Sequence, residues 1–95
     1  MATPKRNASK HKRVTFKVRA DPGSTVFVAG DFNKWDPAAN PLSDPSGTGG
    51  FFTVLLLPPG THEYKFVIND TWCVDPECPD WVQNNLGTLN SVCKV

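Results

Sequence analysis

Three tryptophans, Trp35, Trp72 and Trp81, are the side chains of this 95-residue sequence best suited to hold a ligand. All three lie in or beside segments predicted as loops. An indole ring is costly to leave in water, so a loop tryptophan either plugs one end of a hydrophobic core or offers a flat apolar platform. For each ring alone, both interpretations stay open. Trp72 follows a predicted hairpin turn, where a core is thin, and this position favours a platform.

A lysine near Trp72 suggests what such a platform binds. In the segment HEYKFVI (62–68) apolar and polar residues alternate, so Lys65 points to solvent if the row containing Tyr64 is core. A lysine and an indole on one exposed patch suit a sugar, because pyranose rings stack on the indole while their hydroxyls hydrogen-bond to the ammonium and to nearby amides. The second long loop supplies further polar groups: Asn84, Asn85, Thr88 and Asn90.

The sequence offers little to a catalytic mechanism. It contains no GxSxG, P-loop, HExxH or GxGxxG motif. His11 and His62 have no paired nucleophile, and such a histidine is more often solvated or structural than a base. The carboxylates of the loops are scattered, and a glycosidase needs a deep cleft that a sandwich of this size rarely provides. We therefore expect a protein that is not an enzyme and needs no cofactor.

Three cysteines, Cys73, Cys78 and Cys93, indicate a cellular compartment. An odd count in a sequence with no recognisable secretory signal favours reduced thiols and a cytoplasmic location. A local bridge between Cys73 and Cys78, which lie five residues apart, stays open. Zinc usually takes four ligands, and the cysteines with the distant histidines form no recognisable set, so no metal is expected.

Charge is spread unevenly along the chain. Residues 1–13 hold five of the ten basic residues and no acidic one, which leaves five basic against nine acidic residues in 14–95. The folded part is therefore mildly acidic, and we expect no nucleic-acid footprint on it. No apolar run approaches membrane-spanning length. Residues 1–12 are predicted to be a disordered, solvated tail, and a nucleic-acid or membrane arm is the alternative for it.

Alternation and β-branched residues predict short strands separated by turns rich in proline and glycine. The predicted strands are residues 13–20, 25–30, 51–57, 62–68, 72–74 and 91–95. Two long loops, 31–50 and 75–90, separate some of them, and no window of useful length has a helical period. This pattern indicates an all-β, antiparallel β-sandwich that forms a single domain over residues 13–95.

Three segments, VFVAGDFNKWDP, LPPGTHEYKFVINDTWCVDP and NNLGTLNSVCKV, occur in an order and spacing that resemble a known family. They are similar to the starch- and glycogen-binding modules of carbohydrate-binding module family 48. That family includes the glycogen-binding domain of the AMP-activated protein kinase β subunit and the N-terminal sandwich domains of isoamylase-type enzymes. The resemblance covers residues 13–95. It implies an immunoglobulin-like β-sandwich and non-catalytic binding of α-1,4-linked glucans such as glycogen, starch or maltooligosaccharides.

The resemblance also implies which residues bind. The matched positions are Trp35, Lys65, Trp72, Leu86, Thr88 and Asn90. In the family, the two tryptophans stack on glucose rings and the leucine packs on the glucan. The lysine, threonine and asparagine take part in hydrogen bonds. Trp81 matches no binding position and is expected to pack or to lie at the rim.

The sequence departs from the family in three places. The loop 37–50 looks longer, and the turn before Trp72 reads NDT where a glycine is usual. Both rows of FFTVLLL are apolar, so the residues alone leave open whether this strand is covered on both faces or exposes one row. The family's register implies that Phe51, Leu55 and Leu57 point inward, which leaves the apolar residues Phe52, Val54 and Leu56 facing out, where relatives often carry polar residues. Either the tail or a loop covers this row, or it contacts a protein, such as a kinase or a glucan-active enzyme. The alternative function is therefore a protein–protein interaction module of the same fold without carbohydrate binding. If the row contacts no second copy of the chain, we expect a monomer.

Overall fold

Seven β-strands form the regular structure of residues 10–95, the part of the chain that this computed structural model describes. The predicted tail falls mainly on residues 1–9, which lie outside the described residues. The strands are β1 (Lys12–Arg19), β2 (Val26–Gly30), β3 (Gly50–Leu57), β4 (Thr61–Ile68), β5 (Thr71–Cys73), β6 (Trp81–Gln83) and β7 (Leu89–Lys94). Across residues 10–95, no helix is long and apolar enough to cross a membrane.

The strands form two sheets, and all their pairings are antiparallel. One sheet consists of β1 and β3, and the other has the order β2-β4-β7-β6, with β5 also paired to β4. The strand β4 pairs along one edge with β2, and along the other with β7 and β5 in succession. The predicted all-β, antiparallel sandwich is confirmed.

The core lies between the two sheets and is built by the alternating apolar rows of four strands. Tyr64 and Phe66 of β4 stack edge-on, with ring centroids 5.8 Å apart, and Phe16 of β1 meets Tyr64 in the same way at 4.9 Å. Such edge-to-face pairs add to the free energy gained from burying the rings. The buried core cluster comprises Phe16, Val18, Val26, Val28, Leu42, Phe51, Leu57, Tyr64 and Phe66.

The strand β3 has the register that the family resemblance implied. Phe51 and Leu57 are buried, whereas Phe52, Val54 and Leu56 are exposed by 43%, 44% and 64%. We call these three exposed residues the apolar row. Their direct neighbours on β1 are Lys17, Thr15 and Arg13, respectively, all exposed.

One strand was not predicted. Residues 75–90 were expected to form a loop, but Trp81–Gln83 pair with β7 as β6. Three residues are too few to show alternation, and β6 exists because β7 offers a free edge to it. Trp81 is 59% exposed, so it does not pack into the core. The strand β7 likewise begins at Leu89, two residues before its predicted start.

Candidate functional site

An open cleft of about 760 Å³ lies on the face of the five-stranded sheet that points away from the core. It is lined by Trp35, Glu63, Lys65, Trp72, Gln83, Asn84, Asn85, Leu86, Thr88 and Asn90. All six residues predicted from the family motifs are in this set. The structure therefore brings together side chains from four separate parts of the chain, and their role in binding stays a prediction.

Trp35 reaches the cleft from a tight turn at the end of β2. Its backbone N–H donates to the carbonyl of Gly30 at 2.8 Å. Lys34 and Trp35 both have positive φ angles, 61° and 58°, a left-handed conformation that non-glycine residues seldom adopt. The surrounding structure must hold the chain in this shape, which leaves the indole half-buried at the rim of the cleft.

Asn33 supplies much of that support. Its Oδ1 accepts a hydrogen bond from the N–H of Gly30 at 2.9 Å, while its Nδ2 donates to the carbonyl of Val28 at 3.0 Å and to Asn40 Oδ1 at 2.7 Å. A short amide that bonds to nearby backbone groups stabilises turns in this way. Gly30 is needed because a Cβ there would lie 2.6 Å from the carbonyl oxygen of Glu63.

Trp72 reaches the cleft from the β4–β5 hairpin. Asn69 and Asp70 form its two-residue turn with φ angles of 49° and 69°, which is the type I′ geometry that favours glycine at the second position. Trp72 lies directly opposite Val67 of β4. Val67 is only 4% exposed although it lies on the outer face, and Trp72 itself is 44% exposed. The indole therefore combines packing with an accessible surface.

The polar centre of the cleft is held by side-chain bonds between β4 and the segment that ends in β7. Lys65 Nζ donates to Thr88 Oγ1 at 2.9 Å, and Asn90 Nδ2 donates to Glu63 Oε1 at 2.9 Å. Asn90 is buried, whereas Leu86, at the tip of the turn between β6 and β7, is 87% exposed. The cleft thus has a fixed polar floor and an apolar projection at its edge.

The charges of the cleft balance. Among its lining residues, Lys65 carries a positive charge and Glu63 a negative one, so the lining has no net charge. This balance suits a neutral ligand better than an anion or a cation. Residues 10–95 contain no group of three or more His, Cys, Asp or Glu side chains placed to hold a metal ion.

Two lining residues were not anticipated. Glu63 lies two residues before Lys65 in an alternating strand, so the same two-residue period that turned Lys65 outward was the available signal. Gln83 lies on β6, and no sequence signal revealed that strand. Asn84 and Asn85 had been noted as polar groups of the second long loop but not assigned to the site.

The sequence family whose model matches this chain is described as the glycogen recognition site of AMP-activated protein kinase, and the match covers residues 13–95. The chain belongs to this family. The resemblance inferred from the three motifs is therefore confirmed. Membership supports glycogen or carbohydrate binding in general terms.

The curated relatives that match this chain include β subunits of 5′-AMP-activated protein kinase. The chain is 37% identical over 73 residues to 5′-AMP-activated protein kinase subunit beta-1 of Sus scrofa, a match that covers 77% of the chain and 56% of the relative. It is 37% identical to subunit beta-1 of Homo sapiens and 38% identical to subunit beta-2 of Mus musculus, covering 25% and 26% of those proteins. The chain thus spans about half of the first relative and about a quarter of the other two.

Proposed function

We propose that this chain is a non-catalytic module that binds α-1,4-linked glucans in the cleft on the outer face of its five-stranded sheet. The observation that carries the proposal is the position of Lys65, Thr88 and Asn90 in one neutral cleft with Trp35 and Trp72. Membership of the glycogen recognition family supports a carbohydrate ligand, and we propose glycogen, starch or maltooligosaccharides as that ligand.

Each group of the cleft has a task in this proposal. Trp35 and Trp72 stack on the apolar faces of glucose rings, and their separate loops let the two platforms follow the curve of an α-1,4 chain. Lys65 and Asn90 hydrogen-bond to hydroxyl groups, Thr88 supports them, and Leu86 touches an apolar sugar face. Because stacking dominates and full charges are few, we expect a Kd that is micromolar or weaker. A micromolar Kd corresponds to a binding free energy of about −8 kcal/mol.

Titration with maltoheptaose, followed by tryptophan fluorescence and amide chemical shifts, tests this proposal. The unmodified chain should respond at or below millimolar sugar. Each of Trp35→Ala and Trp72→Ala should lower the affinity about tenfold, because each removes one stacking platform. Trp81→Ala is the matched control and should bind like the unmodified chain, since Trp81 does not line the cleft.

Two outcomes would contradict the proposal at different levels. No response of the unmodified chain at millimolar maltoheptaose would exclude glucan binding. A response that survives the double substitution of Trp35 and Trp72 would leave glucan binding in place but would move it to another site.

The apolar row favours a second candidate function, a protein contact on the outer face of the β1–β3 sheet. Three exposed apolar side chains are aligned there beside Arg13 and Lys17. Such a face can recruit a kinase or a glucan-active enzyme to glucan, or can act in place of glucan binding. Light scattering tests it. A concentration-dependent mass that Leu56→Lys abolishes, together with no maltoheptaose response, favours the contact module over the glucan module.

We also propose a cytoplasmic, monomeric state for the glucan-binding form. The three cysteines are half-buried and unbridged, as suits a reducing compartment. Size-exclusion chromatography of the chain with saturating maltoheptaose should give a single monomer peak, and a dimer peak would contradict the monomeric state.

A further inference from the structure

The side chain of Asn84, at the start of the turn between β6 and β7, makes four hydrogen bonds. Its Oδ1 accepts from the backbone N–H of Leu86 at 2.9 Å and from that of Thr88 at 3.1 Å. Its Nδ2 donates to Thr88 Oγ1 at 2.7 Å and to Asn90 Oδ1 at 3.0 Å. One amide therefore touches all three of the predicted binding residues that follow it in the chain.

These four bonds use the whole bonding capacity of Asn84. A carboxamide has two N–H donors and two acceptor lone pairs, and each of them has a partner within the protein. Asn84 consequently has no group left for a ligand, although it lines the cleft. It is a positioning residue, and its effect on a ligand must pass through Leu86, Thr88 and Asn90.

The bonds around Thr88 have a chemical consequence. Its Oγ1 accepts from Asn84 Nδ2 at 2.7 Å and from Lys65 Nζ at 2.9 Å, which occupies both lone pairs of the hydroxyl. The hydroxyl hydrogen is the part that stays available. Thr88 can therefore act toward a ligand only as a donor, and the ligand must place an oxygen acceptor in front of it.

Apart from the Asn84 side chain, two backbone hydrogen bonds hold this turn. Asn84 N–H donates to the carbonyl of Thr88 at 2.8 Å, and Gly87 N–H donates to the carbonyl of Asn84 at 3.1 Å, with Gly87 at a φ of 82°. Without the two bonds that the N–H groups of Leu86 and Thr88 donate to Asn84 Oδ1, these backbone bonds alone would hold an exposed turn. The position of Leu86, which is almost fully exposed, would then be poorly defined.

We propose that Asn84 positions the glucan-binding turn and makes the Thr88 hydroxyl an obligate hydrogen-bond donor to a sugar oxygen. This inference rests on the proposed glucan binding and assigns to that site a residue pair with distinct tasks. Asn84 fixes the shape of the turn and occupies an acceptor site of the Thr88 hydroxyl. The Thr88 hydroxyl then donates a hydrogen bond to a hydroxyl, ring or glycosidic oxygen of the ligand.

Two substitutions of Asn84 separate these tasks. Asn84→Asp keeps an oxygen that accepts from the N–H groups of Leu86 and Thr88, so the turn stays ordered. The new carboxylate oxygen replaces the Nδ2 donor, so Asn90 Oδ1 loses its bond from residue 84, and the Thr88 hydroxyl turns inward to donate to the carboxylate instead of to a ligand. Asn84→Ala removes both tasks, so it disorders the turn as well.

The experiment combines calorimetric titration of maltoheptaose with hydrogen-exchange protection of the Leu86 and Thr88 amides. Asn84→Asp and Thr88→Val should each lower the affinity about tenfold, the loss expected for one hydrogen bond in a partly buried site. Thr88→Ser should bind maltoheptaose within about threefold of the unmodified chain, since serine keeps the hydroxyl. Thr15→Val, an exposed threonine on the other sheet, is the matched control and should leave the affinity unchanged. Amide protection should persist in Asn84→Asp and be lost in Asn84→Ala.

The outcomes distinguish this inference from the proposed function. If the unmodified chain binds maltoheptaose and either Asn84→Asp or Thr88→Val binds equally well, the donor task is wrong while glucan binding stands. If Asn84→Ala keeps the amide protection, the positioning task is wrong. If the unmodified chain does not bind, the proposed function fails and the donor task with it, and the amide protection alone then decides whether Asn84 orders the turn.

Discussion

Asparagine side chains hold two of the turns that border the cleft. Asn33 fixes the turn before Trp35 through Gly30 and Val28, and Asn84 fixes the turn that presents Leu86. In each case one short amide supplies hydrogen bonds to backbone groups that an irregular segment would otherwise leave without partners. The side chains of Trp35 and Leu86 therefore do not have to hold their own turns in place.

Lys65 allows a test at the level of a single side chain. Lys65→Met keeps the length of the side chain but removes the ammonium, which donates to Thr88 and has further N–H groups free for a ligand. The affinity for maltoheptaose should fall about tenfold, as expected for the loss of a hydrogen bond from a charged donor. Calorimetric titration measures it, and Lys17→Met on the other sheet is the control. An unchanged affinity in Lys65→Met would show that the lysine does not touch the glucan.

The hairpin of β4 and β5 is the element that carries Trp72. Its turn departs from the family's glycine at Asp70, which has a φ of 69°, and the structure shows a type I′ turn all the same. Asn69 compensates by joining the turn to the β1–β2 connection. It accepts from the N–H of Thr25 at 3.0 Å and donates to Ser24 Oγ at 3.1 Å. The wall of the cleft is therefore anchored although its turn lacks the preferred residue.

The second prediction follows from that turn. Asp70→Gly should raise the free energy of unfolding by up to about 1 kcal/mol, because glycine adopts a positive φ without the steric cost of a Cβ. Asp70→Ala should lower it, because alanine keeps the Cβ and loses the short polar group that tolerates this conformation. Urea unfolding of the three chains measures the order. If glycine is no more stable than alanine at this position, the left-handed geometry is not what limits the turn.

For the whole molecule, the two outer faces of the sandwich have different characters. The five-stranded sheet presents the neutral cleft, and the two-stranded sheet presents the apolar row beside basic side chains. Between them, Tyr64 ties the core to the segment after β5. Its hydroxyl donates to Asp75 Oδ2 at 2.7 Å, and the N–H of Asp75 donates to the buried Ser91 Oγ at 3.0 Å. The two proposed contacts, one with glucan and one with a protein partner, therefore lie on opposite outer faces of the sandwich.

The third prediction concerns alkaline stability. Burial raises the pKa of Tyr64, with a further contribution from its hydrogen bond to Asp75, and burial also raises the pKa of Cys93. A raised folded-state pKa means that the unfolded chain ionises first, so stability is full below the ordinary values and is lost above them. The loss should begin near pH 8.5 through Cys93 and steepen above about pH 10 through Tyr64.

Tyr64→Phe tests the larger part of that loss, since this chain has one tyrosine. At neutral pH the substitution should lower the free energy of unfolding by about 1–2 kcal/mol, because Asp75 Oδ2 loses the hydrogen bond from the tyrosine hydroxyl. Between about pH 10 and 11 its stability should then decline less steeply than that of the unmodified chain. Urea midpoints across this range, with Cys93→Ala as the control for the thiol, measure both effects. Parallel declines in the two chains would contradict the prediction.

Much of the fold was determined by patterns that are local in the sequence. Alternation in 62–68 turned Lys65 away from the core, because side-chain direction in a strand follows the two-residue period and needs no distant partner where one row is polar. In β3 both rows are apolar, so only the family register predicted that Phe51 and Leu57 lie inside and the apolar row outside.

Only the tertiary structure decided which of these groups meet. The strand β6 is too short to show a period and depends on the edge of β7, so the sequence hid both it and Gln83. Val67 is buried on the outer face because neighbouring strands bring Phe27 and Trp72 beside it. The four bonds of Asn84 likewise arise from the folded turn, since hydrogen-bond partners depend on register and distance. A sequence determines which face a side chain takes, whereas its contacts are determined by the packing of strands that are distant along the chain.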